Sequence, residues 1–221
     1  MNLIDRIGID VGRKLTLEDA VEWAAEHRVR YIDIQLDTGH NALGTISGIR
    51  GSRIKEMCQR HGVHLGLHTA SAVNVGEYAP IVADAVDAYL KAYVDASVRL
   101  GAKWIVMHAG FHFTSDKAQR MQAGRDRLKR VVAHAENKGA LILLENLNKE
   151  PDNAEVQYLA HTVEEWRYYF DDISSSAFMP RFGPLNSRHQ DEWIDRWLHE
   201  AVGGEAVDMT QFASVRDVTG G

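Results

Sequence analysis

The fold is decided by a short apolar run that ends in a histidine, Trp104-Ile105-Val106-Met107-His108. Two runs of the same kind flank it, His64-Leu65-Gly66-Leu67-His68 upstream and Leu141-Ile142-Leu143-Leu144-Glu145 downstream. Their last residues are 40 and 37 positions apart, enough for about one strand, one helix and two loops. This spacing predicts successive strand–helix units of a parallel α/β barrel, with the three polar residues on one rim.

The alternation of strands and helices extends over most of the chain. Residues 7–11 and 31–37 read as two earlier strands, and amphipathic segments fill the intervals between strands. Gly62 is a typical helix C-cap, and the next two helices stop at Gly101 and Gly139. The capping-box pattern Thr162-Val163-Glu164-Glu165 predicts a helix over residues 166–173.

The pattern weakens after about residue 173. Residues 174–186 should hold the sixth strand but contain Pro180 and Pro184, and proline is disfavoured in a central strand. One more amphipathic helix is predicted over residues 193–202. We expect one domain over residues 1–221. Because an eight-unit barrel usually needs about 250 residues, this domain would be an incomplete barrel of TIM type with about six units, divergent and poorly ordered over 174–221. Its exposed strand edges favour a homodimer or aggregation.

Composition and sequence patterns disfavour several classes of protein. The net charge of −6 disfavours a nucleic-acid partner, because phosphate backbones attract basic surfaces. The one cysteine, Cys58, permits no intrachain disulfide and fits a reducing compartment. We find no signal-peptide pattern and no apolar run near the roughly 18 residues that a membrane span requires. The sequence therefore predicts a cytoplasmic protein with no membrane partner.

His68, His108 and Glu145 form the candidate site, because two imidazoles and one carboxylate suit a divalent metal ion. Taken singly, each histidine is explained as well by a strand-end residue hydrogen-bonded to a neighbour as by a metal ligand. Glu145 is the stronger signal: a carboxylate after four aliphatic residues is costly to bury unless a cation or hydrogen-bond donors meet it.

Three further residues are candidate substrate contacts. His40 and His112 follow predicted strands on the same rim, although a solvated loop histidine explains each of them as well. Asn146, beside Glu145, is placed to orient a ligand or the carboxylate itself. The sequence contains no P-loop, dinucleotide-binding glycine motif or nucleophile elbow.

At these residues the chain resembles the xylose-isomerase-like TIM-barrel superfamily, which includes sugar (phosphate) isomerases and epimerases, inosose dehydratases and family-2 AP endonucleases. The matching stretches are Gly66-Leu67-His68-Thr69, Val106-Met107-His108-Ala109-Gly110 and Leu143-Leu144-Glu145-Asn146. The resemblance implies that Glu145 binds a divalent metal (Mn, Mg, Co or Zn) and acts as acid or base. It implies that His68 and His108 bind metal, as in the endonucleases, or line the substrate pocket, as in the sugar enzymes.

The chain also departs from that superfamily. Members supply further ligands from strands six to eight, yet Phe182-Gly183-Pro184-Leu185-Asn186-Ser187-Arg188-His189, the expected sixth-strand segment, holds no Asp-x-x-His match. The first interpretation is a metal-dependent sugar (phosphate) isomerase or epimerase acting on a small sugar or polyol. The alternatives are a phosphodiesterase of the AP-endonuclease type, which needs two or three metals, and an inactive truncated member.

Overall fold

The computed structural model describes residues 7–113 and 115–181. Its strands are β1 (Gly8–Gly12), β2 (Tyr31–Ile34), β3 (His64–His68), β4 (Trp104–His108), β5 (Phe111–His112), β6 (Ile142–Glu145), β7 (Gln157–Tyr158) and β8 (Phe178–Arg181). Its α-helices are α1 (Leu17–Glu26), α2 (Gly48–His61), α3 (Pro80–Leu100), α4 (Lys117–Lys138) and α5 (Val163–Phe170), and 3-10 helices lie at Gly39–Asn41 and Leu43–Thr45. Within these residues no helix is long and apolar enough to cross a bilayer.

Six strands form one parallel sheet in the order β1-β2-β3-β4-β6-β8. A helix follows each of the first four strands, and α5 lies between β6 and β8. Parallel neighbours need such crossovers, which place helices over the sheet. Among the described residues β1 and β8 are the two edges, so the sheet is not closed. The predicted α/β barrel, open and of about six units, is confirmed over these residues.

The alternation of side chains along β4 and β6 separates two environments. Ile105 and Met107 of β4 pack outwards with Ile142 and Leu144 of β6. The helices complete this main core with Val86, Leu90, Val94, Leu128, Val131 and Val132. The intervening residues, among them His108 and Glu145, lie on the other face of the sheet, towards the barrel interior. The two polar strand ends therefore share an inner layer.

The helix ends follow the sequence signals closely. Gly62, Gly101 and Gly139 adopt left-handed conformations with φ of 66°, 65° and 69° and cap α2, α3 and α4. The Thr162 side chain accepts a hydrogen bond from the Glu165 N–H, so it is the N-cap of α5. The predicted helix is present, but it covers Val163–Phe170 and not residues 166–173, because the capping pattern itself starts the helix at Val163.

The sixth strand lies where its prolines had argued against a strand. The carbonyls of Ala177, just before β8, and of Arg181 at its end accept hydrogen bonds from the N–H groups of Ile142 (2.8 Å) and Asn146 (3.3 Å). Backbone groups alternate in direction along a strand, so Pro180 presents its nitrogen away from β6, where no ladder bond is lost. The earlier part of the segment predicted to be poorly ordered thus contains a strand, and residues 182–221, with the predicted helix at 193–202, lie outside the described residues.

A close approach inside the barrel depends on Gly66. The indole N–H of Trp104 donates a 2.6 Å hydrogen bond to Oδ1 of Asp33 on β2, passing over β3 at Gly66. A Cβ at Gly66 would lie 2.1 Å from both Asp33 Oδ1 and Trp104 Nε1. Only glycine leaves room for this bond between strands that are not neighbours.

We therefore predict that Gly66→Ala lowers the free energy of unfolding by about 3 kcal/mol, since the methyl group overpacks the interior and displaces the hydrogen bond. Urea denaturation measures this change. Gly44→Ala is the matched control, because nothing lies within 4 Å of a Cβ there, and it should change stability by less than about 0.5 kcal/mol. Equal stability of the two variants would contradict the close approach.

Candidate metal centre

The polar residues at the ends of β3, β4 and β6 converge at one point on the barrel rim. His108 and Glu145 are partners in the ladder between β4 and β6, and His68 ends the neighbouring β3. One side-chain ligand atom from each lies within 4.8 Å of the other two. The convergence predicted from strand spacing is observed, and the role of the three residues as ligands stays a prediction.

The distances between these atoms are short. Nε2 of His108 lies 3.1 Å from Nε2 of His68 and 3.1 Å from Oε2 of Glu145. His68 Nε2 and Glu145 Oε2 are 3.5 Å apart. When a tetrahedral ion binds ligands at about 2.0–2.1 Å, neighbouring ligand atoms lie about 3.4 Å apart. The triangle therefore has the dimensions of one face of a metal-coordination polyhedron.

Hydrogen bonding within the triad cannot satisfy all three contacts. A neutral imidazole carries one N–H group. If His68 Nε2 donates its proton to His108 Nε2, the latter is an acceptor and has no proton to donate to Glu145. If both histidines donate to Glu145, their two N–H groups face each other at 3.1 Å. A cation among the three atoms resolves every contact at once. The donor set thus fits a divalent metal ion.

Burial makes the charge on Glu145 depend on its neighbours. Its side chain is 8% exposed. Burial, the strongest influence, raises the pKa of Glu145, but hydrogen bonds with His108 and His68 and the charge of Arg181 together outweigh it and lower the pKa below its ordinary value. The carboxylate is therefore ionised at neutral pH, as a metal ligand must be.

Arg181 is a site residue that sequence reasoning missed. It ends β8 in register with Glu145 and places its Nε 3.5 Å from Glu145 Oε1. Its Nη1 donates a 2.8 Å bond to Oδ2 of Asp33. Burial works to lower the pKa of Arg181, but the charges of Asp33 and Glu145 raise it overall. The segment expected to form the sixth strand, residues 182–189, lies outside the described residues, and the described sixth strand, β8, ends in Arg181.

The outer nitrogens of the two histidines have no partner among the described residues. His68 Nδ1 and His108 Nδ1 are both buried without a hydrogen bond. A histidine that binds metal through Nε2 carries its proton on Nδ1 and usually donates it to an acceptor. The triad thus presents three candidate ligand atoms, and no acceptor among the described residues meets either Nδ1.

The chain matches the family model described as "Xylose isomerase-like TIM barrel" over residues 21–221. It belongs to this family. No curated protein matches the chain. Among solved structures, it resembles a D-tagatose 3-epimerase-like protein at 20% identity and a TM-score of 0.65, over 79% of this chain and 64% of that one.

Two further epimerases share the fold. D-psicose 3-epimerase from Clostridium cellulolyticum H10 is 17% identical, with a TM-score of 0.67 over 80% of this chain and 63% of that one. An L-ribulose 3-epimerase is 14% identical, with a TM-score of 0.65 over 80% and 60%. The chain thus spans less than two thirds of each of these proteins. At such identities the likeness establishes the xylose isomerase-like fold and no activity.

The three predicted substrate contacts occupy different environments in this xylose isomerase-like barrel. His40 is exposed in the 3-10 helix after β2. His112 is buried on β5, and its Nδ1 lies 2.8 Å from the Phe113 carbonyl. Asn146 is buried next to Glu145, and its N–H donates to the Arg181 carbonyl. Asn146 is therefore the candidate nearest the triad in the chain, and all three roles stay predictions.

Two polar residues that follow β2, Gln35 and Asp37, have different surroundings. Asp37 accepts hydrogen bonds from the hydroxyl groups of Tyr89 (2.5 Å) and Tyr93 (3.0 Å) on α3. Gln35 lines a cavity beside the end of β1. Asp37 thus joins α3 to the segment after β2, whereas Gln35 lies beside this cavity.

The loops beside the triad are tied together by one asparagine. Oδ1 of Asn74, in the loop after β3, accepts the N–H groups of Gly76 and Phe111, and its Nδ2 donates to the Phe111 carbonyl, each at 3.0 Å. Gly110 makes this possible: its φ is +98°, and a Cβ there would lie 2.3 Å from Asn74 Oδ1. The loops after β3 and β4 therefore hold each other in place.

A second buried carboxylate supports the rim from α5. Glu165 accepts from the N–H of His161 at 3.2 Å, pairs with the His161 ring at 3.3 Å and forms an ion pair with Lys117. Burial, the largest influence, raises the pKa of Glu165, but hydrogen bonds with His161 and Lys117 lower it overall to about 2. The hydrogen bond with Glu165 raises the pKa of His161. The cluster anchors the segment between β7 and α5.

This cluster gives a pH prediction with a definite sign. Ionised Glu165 stabilises the fold above pH 4.5, and this contribution is lost as the pH falls towards about 2. Protonated His161 contributes below pH 6.5, and its contribution is lost as the pH rises through its raised pKa. Glu165→Gln should therefore flatten the stability profile in both windows, measured by urea denaturation at stepped pH.

The matched control is Asp152→Asn, which removes an exposed ion pair with Lys149. Such a pair contributes little to stability, so its profile should follow that of the unmodified protein. A Glu165→Gln profile parallel to the control would show that the buried cluster does not titrate in these windows.

Proposed function

We propose that this chain is a metal-dependent sugar isomerase or epimerase-like protein, acting on a small sugar or polyol. The observation that carries the proposal is the triangle of His68 Nε2, His108 Nε2 and Glu145 Oε2 on the rim of a xylose isomerase-like barrel. Active sites of such barrels lie at the carboxyl ends of the strands. The names of the three similar structures given above, two 3-epimerases and one 3-epimerase-like protein, support a ketose as the first substrate class to test.

The three residues would divide the work of holding the ion. The imidazoles supply neutral nitrogen ligands, and Glu145 supplies the negative charge. When bound, the metal would act as a Lewis acid on the oxygens of the substrate and ease removal of the proton beside its carbonyl. Two imidazoles with one carboxylate favour Mn, Co or Zn over Mg, which prefers a shell of oxygens.

The electrostatics of Glu145 bear on its second predicted role. A general base works best when its pKa lies near the working pH, whereas the pKa of Glu145 is lowered. This supports the role of ligand more strongly than the role of acid or base. Arg181 offers no metal-binding atom, and its charge is one of the influences that lower the pKa of Glu145.

The charge of the chain and the ligand count disfavour a phosphodiesterase. That chemistry uses two or three metal ions, and residues 7–113 and 115–181 contain one cluster of three ligands. The net charge of −6 also works against binding a phosphate backbone. Tight DNA binding with a steep salt dependence would reverse this choice. An intact fold that binds no divalent metal would favour the inactive member.

The reaction itself can be tested without knowing the product. We expect the protein, loaded with Mn²⁺ or Co²⁺ in D₂O, to incorporate deuterium next to the carbonyl of a ketose such as D-tagatose, D-psicose or L-ribulose. Mass spectrometry and NMR detect the exchange. Glu145→Gln should slow it at least about 100-fold, because the variant loses the anionic ligand. Equal exchange with and without the protein across the panel would refute the proposal.

Metal binding gives a test that needs no substrate. Glu145→Gln should weaken Co²⁺ binding at least about 100-fold by calorimetry, since it removes the only anionic ligand among the three. His112→Ala is the control, because its ring nitrogen bonds the neighbouring Phe113 carbonyl and lies outside the triad. Its affinity should change less than about threefold. The same loss in both variants would remove Glu145 from the ligand set.

A further inference from the structure

Arg181 stands between two carboxylates of the barrel interior and is bound unequally to them. Its Nη1 lies 2.8 Å from Asp33 Oδ2, a hydrogen-bonded ion pair. Its Nε lies 3.5 Å from Glu145 Oε1, beyond ordinary hydrogen-bond length. The guanidinium therefore binds Asp33 closely and interacts only weakly with the carboxylate of Glu145.

The three charged side chains are largely buried, which strengthens the electrostatic forces between them. The side chains of Arg181, Asp33 and Glu145 are 16%, 9% and 8% exposed. Water screens such charges poorly, so a guanidinium that loses one carboxylate is drawn strongly to the other. Among the described residues, Glu145 is the second carboxylate with which Arg181 forms an ion pair.

Asp33 is itself held firmly. Trp104 donates a 2.6 Å hydrogen bond to its Oδ1, and Asp33 lies in register with Gly66, which leaves space for the indole. One carboxylate oxygen thus receives the indole N–H and the other receives the guanidinium. The position of Arg181 is fixed from the second strand, far from the triad in sequence.

A guanidinium and a metal ion compete for the same carboxylate. A cation that pairs closely with Glu145 would neutralise the one anionic member of the triad and repel a divalent ion. We propose that Asp33 is a positioning residue that holds Arg181 away from Glu145 and so keeps this carboxylate available to the metal. The proposal rests on the proposed function for the identity of the competing ion.

The test is a cycle of variants titrated with Co²⁺. Asp33→Asn keeps the shape of the side chain but releases the guanidinium, and it should weaken Co²⁺ binding about tenfold. Arg181→Met removes the competitor and should bind Co²⁺ at least as tightly as the unmodified protein. The double variant should recover the affinity that Asp33→Asn loses. If Asp33 served only the fold, the double variant would bind no better than Asp33→Asn, and that result would overturn the inference.

Asp87→Asn is the control for loss of a buried ion pair elsewhere. Asp87 pairs with Arg127, whose side chain is 2% exposed, and with Arg130. This variant should lose stability and keep its Co²⁺ affinity. If Asp33→Asn does not fold, Arg181→Met decides alone, because weaker binding in that variant contradicts a competing role.

A metal-free measurement separates this inference from the proposed function. Released from Asp33, Arg181 should pair with Glu145, so Glu145→Gln should lower the urea midpoint more in the Asp33→Asn background than in the unmodified protein. Equal shifts in the two backgrounds would mean that the guanidinium does not move, and the inference would fail. Absence of Co²⁺ binding in the unmodified protein would instead overturn the proposed function. The urea comparison would still show whether Arg181 pairs with Glu145 when Asp33 no longer holds it.

Discussion

The carboxylate of Asp33 is the constraint on which the barrel interior depends. It accepts Trp104 on one oxygen and Arg181 on the other, and so joins β2 to β4 and to β8, 148 positions along the chain. A buried ion pair of this kind contributes little net stability, but it is strict about geometry, because either partner left alone would be an uncompensated charge. The sheet must curve far enough to bring β2 and β8 within reach of one side chain pair.

The triad on the rim also contains a buried charge that must be compensated, and here the neighbouring imidazoles and a guanidinium compensate it. Glu145 is buried beside two imidazoles and near one guanidinium, which together outweigh the desolvation of its charge. Glu145 is thus a buried negative charge that water screens poorly. The outward-facing residues of the same strands are aliphatic and join the main core. Rigid packing on one face of the strands holds the polar groups in place on the other.

Much of this arrangement could be predicted from sequence because it follows from local patterns. The strands that end at His68 and His108 have the predicted bounds, and the helix stops at Gly62, Gly101 and Gly139 are glycines with positive φ. Three strand ends at regular spacing sufficed to bring the triad together. Arg181 was missed because Pro180 masked its strand, and its pairing with Asp33 spans 148 positions, which no periodicity encodes. The sequence signal that could have found Arg181 is the alternation of side chains along the strand, which places Met179 and Arg181 on its inner face.

The clasp that Asn74 forms with Gly76 and Phe111 has a consequence for anyone redesigning the pocket. Its donors and acceptor come from the loops after both β3 and β4, and the positive φ of Gly110 leaves space for the amide. A graft that replaces one loop alone would strip hydrogen-bonding partners from the backbone of the other. The two loops therefore form a single exchangeable module, and donor sequences should be chosen and transplanted as a pair.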